Sequence, residues 1–239
     1  MDSQASADVP IRPAATVLAL HPRARGFEVL MVRRDRDATF MGGAHVFPGG
    51  AMDAVDRGPL AGRVVGWDGD PEELPWRSAA VRELAEEAGV LLSPDPPSVN
   101  GEEGEALFRL LDRHGAVLDA RRLEYLSNWV TPVGPPRRFD TRFYVVAVAA
   151  GTEAASDRRE VFDAEWVEPV AALAAADAGE WQVEFPTRVH LELLARFETA
   201  GEVVAHARAA RPYRIEPRTT VGSDGSMQVV LPDPPEEAR

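Results

Sequence analysis

The chain has 239 residues, 26 basic against 39 acidic side chains, and a formal charge of −13. At 45% hydrophobic and 27% charged residues it can bury a core, and it holds no run of about 20 apolar residues to span a membrane. Cysteine is absent and all 26 basic residues are Arg, which excludes disulfides, thiolate metal sites, cysteine nucleophiles, Schiff-base lysines and a P-loop lysine.

Residues 1–12 are small and polar and read as a flexible lead-in. Met1-Asp2-Ser3-Gln4 has neither a basic start nor an apolar run, so no secretory signal is expected and the location reads as cytoplasmic. Ala14 to Leu20 is an apolar strand candidate, and Phe27 to Arg33 a second. In the second, Phe27, Val29, Met31 and Arg33 share one face and Leu30 and Val32 the other. His21 to Gly26 fits a hairpin turn between them. Thr39 to Gly50 is a glycine-rich loop, and Ala51 to Arg77 reads as loop from its prolines and glycines. A helix is predicted over Ser78 to Ala88, capped by Ser78 and ended by Gly89. Glu105 to His114 has helical spacing.

Tyr125 to Thr131 and Phe139 to Ala149 read as strands around a Pro/Gly turn, and Glu165 to Val167 as a short strand. Helices follow at Val170 to Ala176, Phe185 to Phe197 and Gly201 to Ala210. A last hairpin pairs Tyr213 to Val221 with Met227 to Leu231 through Gly222-Ser223-Asp224-Gly225. Helices and strands mix without strict alternation, which predicts α/β or α+β layers. The acidic balance argues against nucleic acid as partner, so a polyanionic substrate would need local arginines or a metal ion.

One segment carries chemistry: Val81-Arg82-Glu83-Leu84-Ala85-Glu86-Glu87-Ala88-Gly89-Val90. On a helix Glu83, Glu86 and Glu87 lie at i, i+3 and i+4 and share a face. Three carboxylates that close repel one another, so a cation, a base or solvent must offset them. A hard divalent ion takes oxygen ligands and often joins carboxylates to substrate phosphates. A solvated acidic helix face is the plainer alternative. Arg82, four residues before Glu86, can pair with it. Upstream, Val46-Phe47-Pro48-Gly49-Gly50 is a tight loop whose backbone can approach a ligand closely.

These residues resemble the Nudix hydrolase family, whose box is G-x5-E-x7-R-E-U-x-E-E-x-G-U, with U a bulky apolar residue. Arg82-Glu83-Leu84-x-Glu86-Glu87-x-Gly89-Val90 matches its second half at every specified position. Phe47-Pro48-Gly49-Gly50 resembles the loop that opens it, and Asp56 stands where the box has its first Glu. Asp56 and Arg82 are 26 residues apart where the box has eight, so the match needs an inserted loop, 57–77. As a loop, that insertion should be dispensable for the fold. Glu72 and Glu73 compete with Asp56 for its place. Arg33-Arg34, the Phe40 to Gly50 loop, Trp129-Val130-Thr131-Pro132, Arg137 to Phe143 and Glu184-Phe185-Pro186-Thr187 resemble the peroxisomal-type coenzyme A diphosphatase branch. Thr39 departs from that branch's coenzyme A signature, where an Arg is expected, and Glu236 to Arg239 carry no peroxisomal address.

The resemblance implies a Nudix-type α/β/α sandwich with a mixed sheet: a domain over 13–200 and a C-terminal helical and hairpin extension, 201–239, packed on it. It implies hydrolysis of a small-molecule diphosphate with Mg²⁺ or Mn²⁺ as cofactor, coenzyme A or acyl-CoA being favoured over ADP-ribose, NADH or nucleotide sugars. Glu83, Glu86 and Glu87 with the Gly49 carbonyl are the implied metal ligands. Glu83, Glu86 and Arg82 are the implied catalytic set, Glu83 standing as ligand or general base and Arg82 orienting a carboxylate. Arg33, Arg34 and Gly50 are candidates for substrate binding, and Asp56, Glu160 and His45 are accessory candidates. Arg137, Arg138 and Arg142 flank the site or pair with surface acids; Trp129, Phe139 and Tyr144 stack on a base or fill the core. A non-catalytic nucleotide sensor is the alternative of another class. No membrane partner is expected, and a homodimer stays open.

Overall fold

The computed structural model describes residues 9–35, 42–155, 161–221 and 227–233. Strands β1 (Ile11–Pro22) and β2 (Phe27–Arg34) form the predicted hairpin, with Leu20 opposite Val29. β1 starts three residues before its apolar run because it pairs in parallel with β6 from Ile11 onward. Next come β3 (His45–Val46), β4 (Gly49–Ala51), α1 (Ala61–Val64), α2 (Leu74–Ala88) and α3 (Gly104–His114). β5 (Glu124–Val130), β6 (Arg138–Ala147), β7 (Val161–Val167), α4 (Pro169–Asp177), α5 (Phe185–Leu194) and α6 (Ala200–Ala209) follow. β8 (Arg214–Ile215), β9 (Arg218–Val221) and β10 (Met227–Val230) end the described chain.

The sheet is mixed, in the order β3-β2-β1-β6-β5-β8, with β4 on β1 and β7 on β2. Its two faces follow the period-2 alternation of the central strands. Ala15, Val17, Ala19, Leu30 and Val32 pack with α2 and α3, whereas Leu18, Leu20, Val29 and Met31 pack with α4, α5 and α6. The result is a three-layer α/β/α sandwich. The predicted last hairpin is shorter than expected. Its Tyr213 end joins the main sheet as β8 beside β5, and only β9 and β10 pair with each other. The predicted turn at Gly222 to Gly225 lies outside the described residues. Among the described residues no helix is long and apolar enough to cross a membrane.

Helix α2 begins at Leu74, not at Ser78. Pro75 sits in its first turn, where no intrahelical N–H is needed, so a residue read as a loop signal starts the helix instead. Gly89 ends it as expected: its φ is +65°, a left-handed conformation that favours glycine. The 57–77 insertion is also not a plain loop. It holds α1, and Leu118 bonds the chain on both sides of Val65: its N–H donates to the Val64 carbonyl and its carbonyl accepts from the Gly66 N–H. Ala61, Val64 and Val65 are buried in the α2–α3 layer.

One core group was invisible as such in the sequence. His190 is 2% exposed and stacks on Phe143 at 4.3 Å. Its Nδ1–H donates to the Pro186 carbonyl at 2.6 Å, so its Nε2 accepts from the Ser127 hydroxyl at 2.7 Å. Burial lowers its pKa from 6.5 to about 4. Between those two values the unfolded chain binds a proton that the native chain refuses. Stability therefore rises with pH across that window and falls as the solution is acidified, by up to ~3 kcal/mol.

Two outcomes follow from this packing. His190→Gln should lose less melting temperature than the wild type between pH 7 and 4.5, as read by calorimetry at both pH values. Removing residues 58–72 takes out Ala61, Val64 and Val65, each larger side chain contributing ~1.5–3 kcal/mol of burial. That deletion should abolish the cooperative thermal transition; a normal transition would show the segment to be filler after all.

Candidate active site

Buried Arg82, on α2, organises the acidic helix. Its Nη2 donates to Asp56 Oδ2 at 2.9 Å and to the Ala51 carbonyl at 3.1 Å, and its Nε donates to Asp56 Oδ1 at 3.1 Å. Its Nη1 donates to Glu83 Oε1 at 2.8 Å and to Glu86 Oε2 at 2.9 Å. Asp56 is fully buried and also accepts from the Ser78 hydroxyl at 2.9 Å and the Asp53 N–H at 2.8 Å. The remaining oxygens hold the neighbouring loops. Glu87 Oε2 accepts from the Gly49 N–H at 2.8 Å, and Glu86 Oε1 from the Gly104 N–H at 2.7 Å. Glu83 lies against Gly50, where an added Cβ would stand 2.5 Å from its Oε1. The glycine turn and the three glutamates are therefore one packed unit, and the solvated-face alternative fails because Glu83 and Glu87 are buried.

Three carboxylates on one guanidinium, with Glu87 beside them, leave this unit short of positive charge. Burial pushes the Glu83 carboxyl up to about 7, against the pull of Arg82 and helped by the repulsion of Glu86. Burial raises Glu86 as well, again against Arg82. Burial alone would lower Arg82, but its bond to Asp56 and the charges of Glu83, Asp56 and Glu86 hold its proton more tightly than usual. Among the described residues no three acidic or imidazole side chains converge as a finished metal cage. Arg82 and the two main-chain N–H groups draw the glutamate oxygens apart. Even so, the donor set fits a hard divalent cation: it is all oxygen, in excess negative charge, and open to a cavity that can admit phosphate oxygens and water.

That cavity has a volume of about 910 Å³. Glu83, Glu86 and Glu87 line it with Gly49, Gly50 and Ala51. The sheet lines it through alternate residues of two paired strands: Arg12, Ala14 and Thr16 of β1 beside Phe139, Thr141 and Phe143 of β6. Gly49 faces Thr16 so closely that a Cβ there would stand 2.5 Å from the Ala15 carbonyl oxygen.

The structure divides the other predicted residues. Arg34 lines the cavity, and its buried Nε has no hydrogen-bond partner among the described residues. Arg33 is turned to Asp163 of β7 and is not among the lining residues. His45, also absent from the lining, stacks on Trp181 at 4.1 Å; burial lowers its pKa, and Arg33 lowers it further. Glu160 lies outside the described residues. Asp56, rather than Glu72 or Glu73, meets Arg82, while Glu73 pairs with Arg142, which lies over the Trp76 ring. Arg138 is buried and binds the Thr131 carbonyl and Glu216, whereas Arg137 lines the cavity. Trp129 and Tyr144 are buried in the core, and Phe139 lines the cavity. Arg12, inside the segment that composition assigns to a lead-in, also lines the cavity. The alternation Arg12, Ala14, Thr16, carried upstream from the apolar run, puts it on the cavity face of β1.

Asp56→Ala leaves the Arg82 charge buried without its main partner. Urea unfolding should show a loss of roughly 3 kcal/mol or more. Gly50→Ala should keep the fold, since the methyl meets only the end of a side chain, but it should displace Glu83; a far-UV spectrum like the wild type's with reduced hydrolysis is the expected result.

The family model described as NUDIX domain matches residues 10–188. The crystal structure of a NUDIX hydrolase from Alicyclobacillus acidocaldarius superposes with a TM-score of 0.74 at 30% identity, covering 83% of this chain and 97% of that one. Acyl-coenzyme A diphosphatase NUDT19 of Homo sapiens is 28% identical over 79% of this chain and 66% of its own length. The Gallus gallus protein of the same name is 28% identical over 87% of this chain and 72% of its own. The domain match takes in both the glycine turn and the acidic helix, and on that ground the chain belongs to the Nudix hydrolase family.

Proposed function

We propose that this chain hydrolyses the diphosphate of coenzyme A or acyl-CoA. The observation that carries the reading is the packing of Glu83 against Gly50 and of Glu87 on the Gly49 N–H, at the acidic side of a cavity that Arg34 also lines. The names of the human and chicken relatives support the choice of substrate.

Nudix hydrolases use divalent metal ions. Here Glu83, Glu86, Glu87 and the Gly49 carbonyl would hold Mg²⁺ or Mn²⁺. Such an ion, when bound, supplies positive charge to the diphosphate oxygens and acidifies water. The chain's own residues do the rest. Arg82 fixes the rotamers of Glu83 and Glu86, so that little reorganisation is left for the reacting state. Glu83, held by the Arg82 bond, is the general base where it does not itself serve as a ligand. Gly49 and Gly50, lacking side chains, let the substrate diphosphate reach the helix. Arg34, which lines the cavity, supplies a positive charge for a phosphate oxygen. Water adds to one phosphorus, the bridging P–O bond breaks, and two phosphate monoesters leave.

Hydrolysis should be measured on coenzyme A, acetyl-CoA, ADP-ribose, NADH and a nucleotide sugar with Mg²⁺ or Mn²⁺. Coenzyme A or its acyl ester should give the highest kcat/KM, and a chelator should abolish turnover. Glu86→Gln and Glu87→Gln should each lower kcat at least 100-fold with a preserved thermal transition. Full turnover in both variants would remove the carboxylate assignment, and a clear preference for ADP-ribose or NADH would remove the substrate.

A further inference from the structure

Helix α2 packs on one side of the sheet and α5 on the other, and both reach the cavity. The first brings its glutamates; the second brings its opening turn, Glu184, Pro186 and Thr187. Thr187 is only 6% exposed, yet neither its hydroxyl nor its main-chain N–H has a hydrogen-bond partner among the described residues. Glu184, at the N-cap, does not cap the turn with its side chain; its carboxylate accepts from Gln182 Nε2 at 3.3 Å instead. Buried hydroxyls in folded proteins are nearly always bonded, so this pair of donors is left for something that enters the cavity.

The turn is held in place by the core beneath it. His190 donates from Nδ1–H to the Pro186 carbonyl at 2.6 Å, and its ring stacks on Phe143. Phe47, from the segment that leads into Gly49 and Gly50, meets the same ring edge-on at 6.3 Å. Phe47 and Phe143 line the cavity as well. The α5 turn is thereby tied through His190 to the loop that packs on the acidic helix. A helix of ten residues carries partial positive charge at its N-terminus, and free donors there suit an anion.

We propose that Thr187, through its hydroxyl and its N–H at the first turn of α5, binds a non-bridging oxygen of the diphosphate on the side away from the acidic helix. The inference rests on the reading of the chain as a diphosphate hydrolase and not on coenzyme A as the substrate. Oxygens turned toward α2 meet the carboxylates and the cation they would hold. Those turned toward α5 meet Phe143 and Pro186, which offer no polar hydrogen there, and Thr187, which offers two. A diphosphate gripped from both layers cannot turn freely about its bridging bonds, which keeps the reacting phosphorus in place for water.

Thr187→Val keeps the shape of the side chain and removes the hydroxyl, whereas Thr187→Ser keeps the hydroxyl and removes the methyl. Binding of methylenediphosphonate, which cannot be hydrolysed, should be measured by calorimetry on the full chain with Mg²⁺. Thr187→Val should bind it about tenfold more weakly, and Thr187→Ser within about twofold of the wild type. The melting temperature of Thr187→Val should match the wild type's, because no protein group loses a bond. Unchanged affinity in Thr187→Val, or no binding by the wild type, would overturn the contact. So would a Thr187→Ser protein as weak as Thr187→Val, which would assign the effect to the methyl. Weakened binding in Thr187→Val, in a protein whose wild type does not cleave coenzyme A, upholds the contact and rejects only that substrate. Coenzyme A turnover with unchanged affinity in Thr187→Val rejects the contact and leaves the substrate reading standing.

Discussion

The buried contact between Arg82 and Asp56 joins everything that meets at the site. A guanidinium with 4% exposure needs partners for its charge, and a carboxylate with none needs donors. Each supplies the other, and the Ser78 hydroxyl and the Asp53 N–H complete Asp56. With one side of the guanidinium held by Asp56 and the Ala51 carbonyl, the other is free to fix Glu83 and Glu86. The pair thus ties the segment after the glycine turn to the acidic helix and sets two of its three glutamates.

This arrangement explains how a long insertion coexists with a precise site. Residues 57–77 leave the chain at Asp56 and return to it at α2, and both ends are locked through Arg82 and Ser78. Between them the segment repays its entropy by burying Ala61, Val64 and Val65 and by bonding to Leu118. The acidic end of the cavity then draws its character from excess negative charge at low solvent exposure.

Local sequence rules described most of the layers. The alternation in Phe27 to Val32 assigned residues to the two core faces that the sheet adopts, because side-chain direction in a strand depends only on parity. The spacing of Glu83, Glu86 and Glu87 placed them together, and Gly89 marked the helix end, since both depend on a single turn of backbone. The start of α2 was misplaced because Pro75 carries the same letter in a loop and in a first helical turn.

Sequence alone determined the central strands, the acidic helix and the glycine turn above it, all features encoded within short consecutive runs, and the family resemblance implied the sandwich. Tertiary structure alone decided which acid meets Arg82, 26 positions away along the chain, and that Arg34 but not Arg33 enters the cavity. It also decided that His190 is neutral in the core and that Arg12 is part of the cavity lining rather than a lead-in. These outcomes depend on pairing between distant strands and on what each buried charge finds around it, and neither is written in the spacing of neighbours.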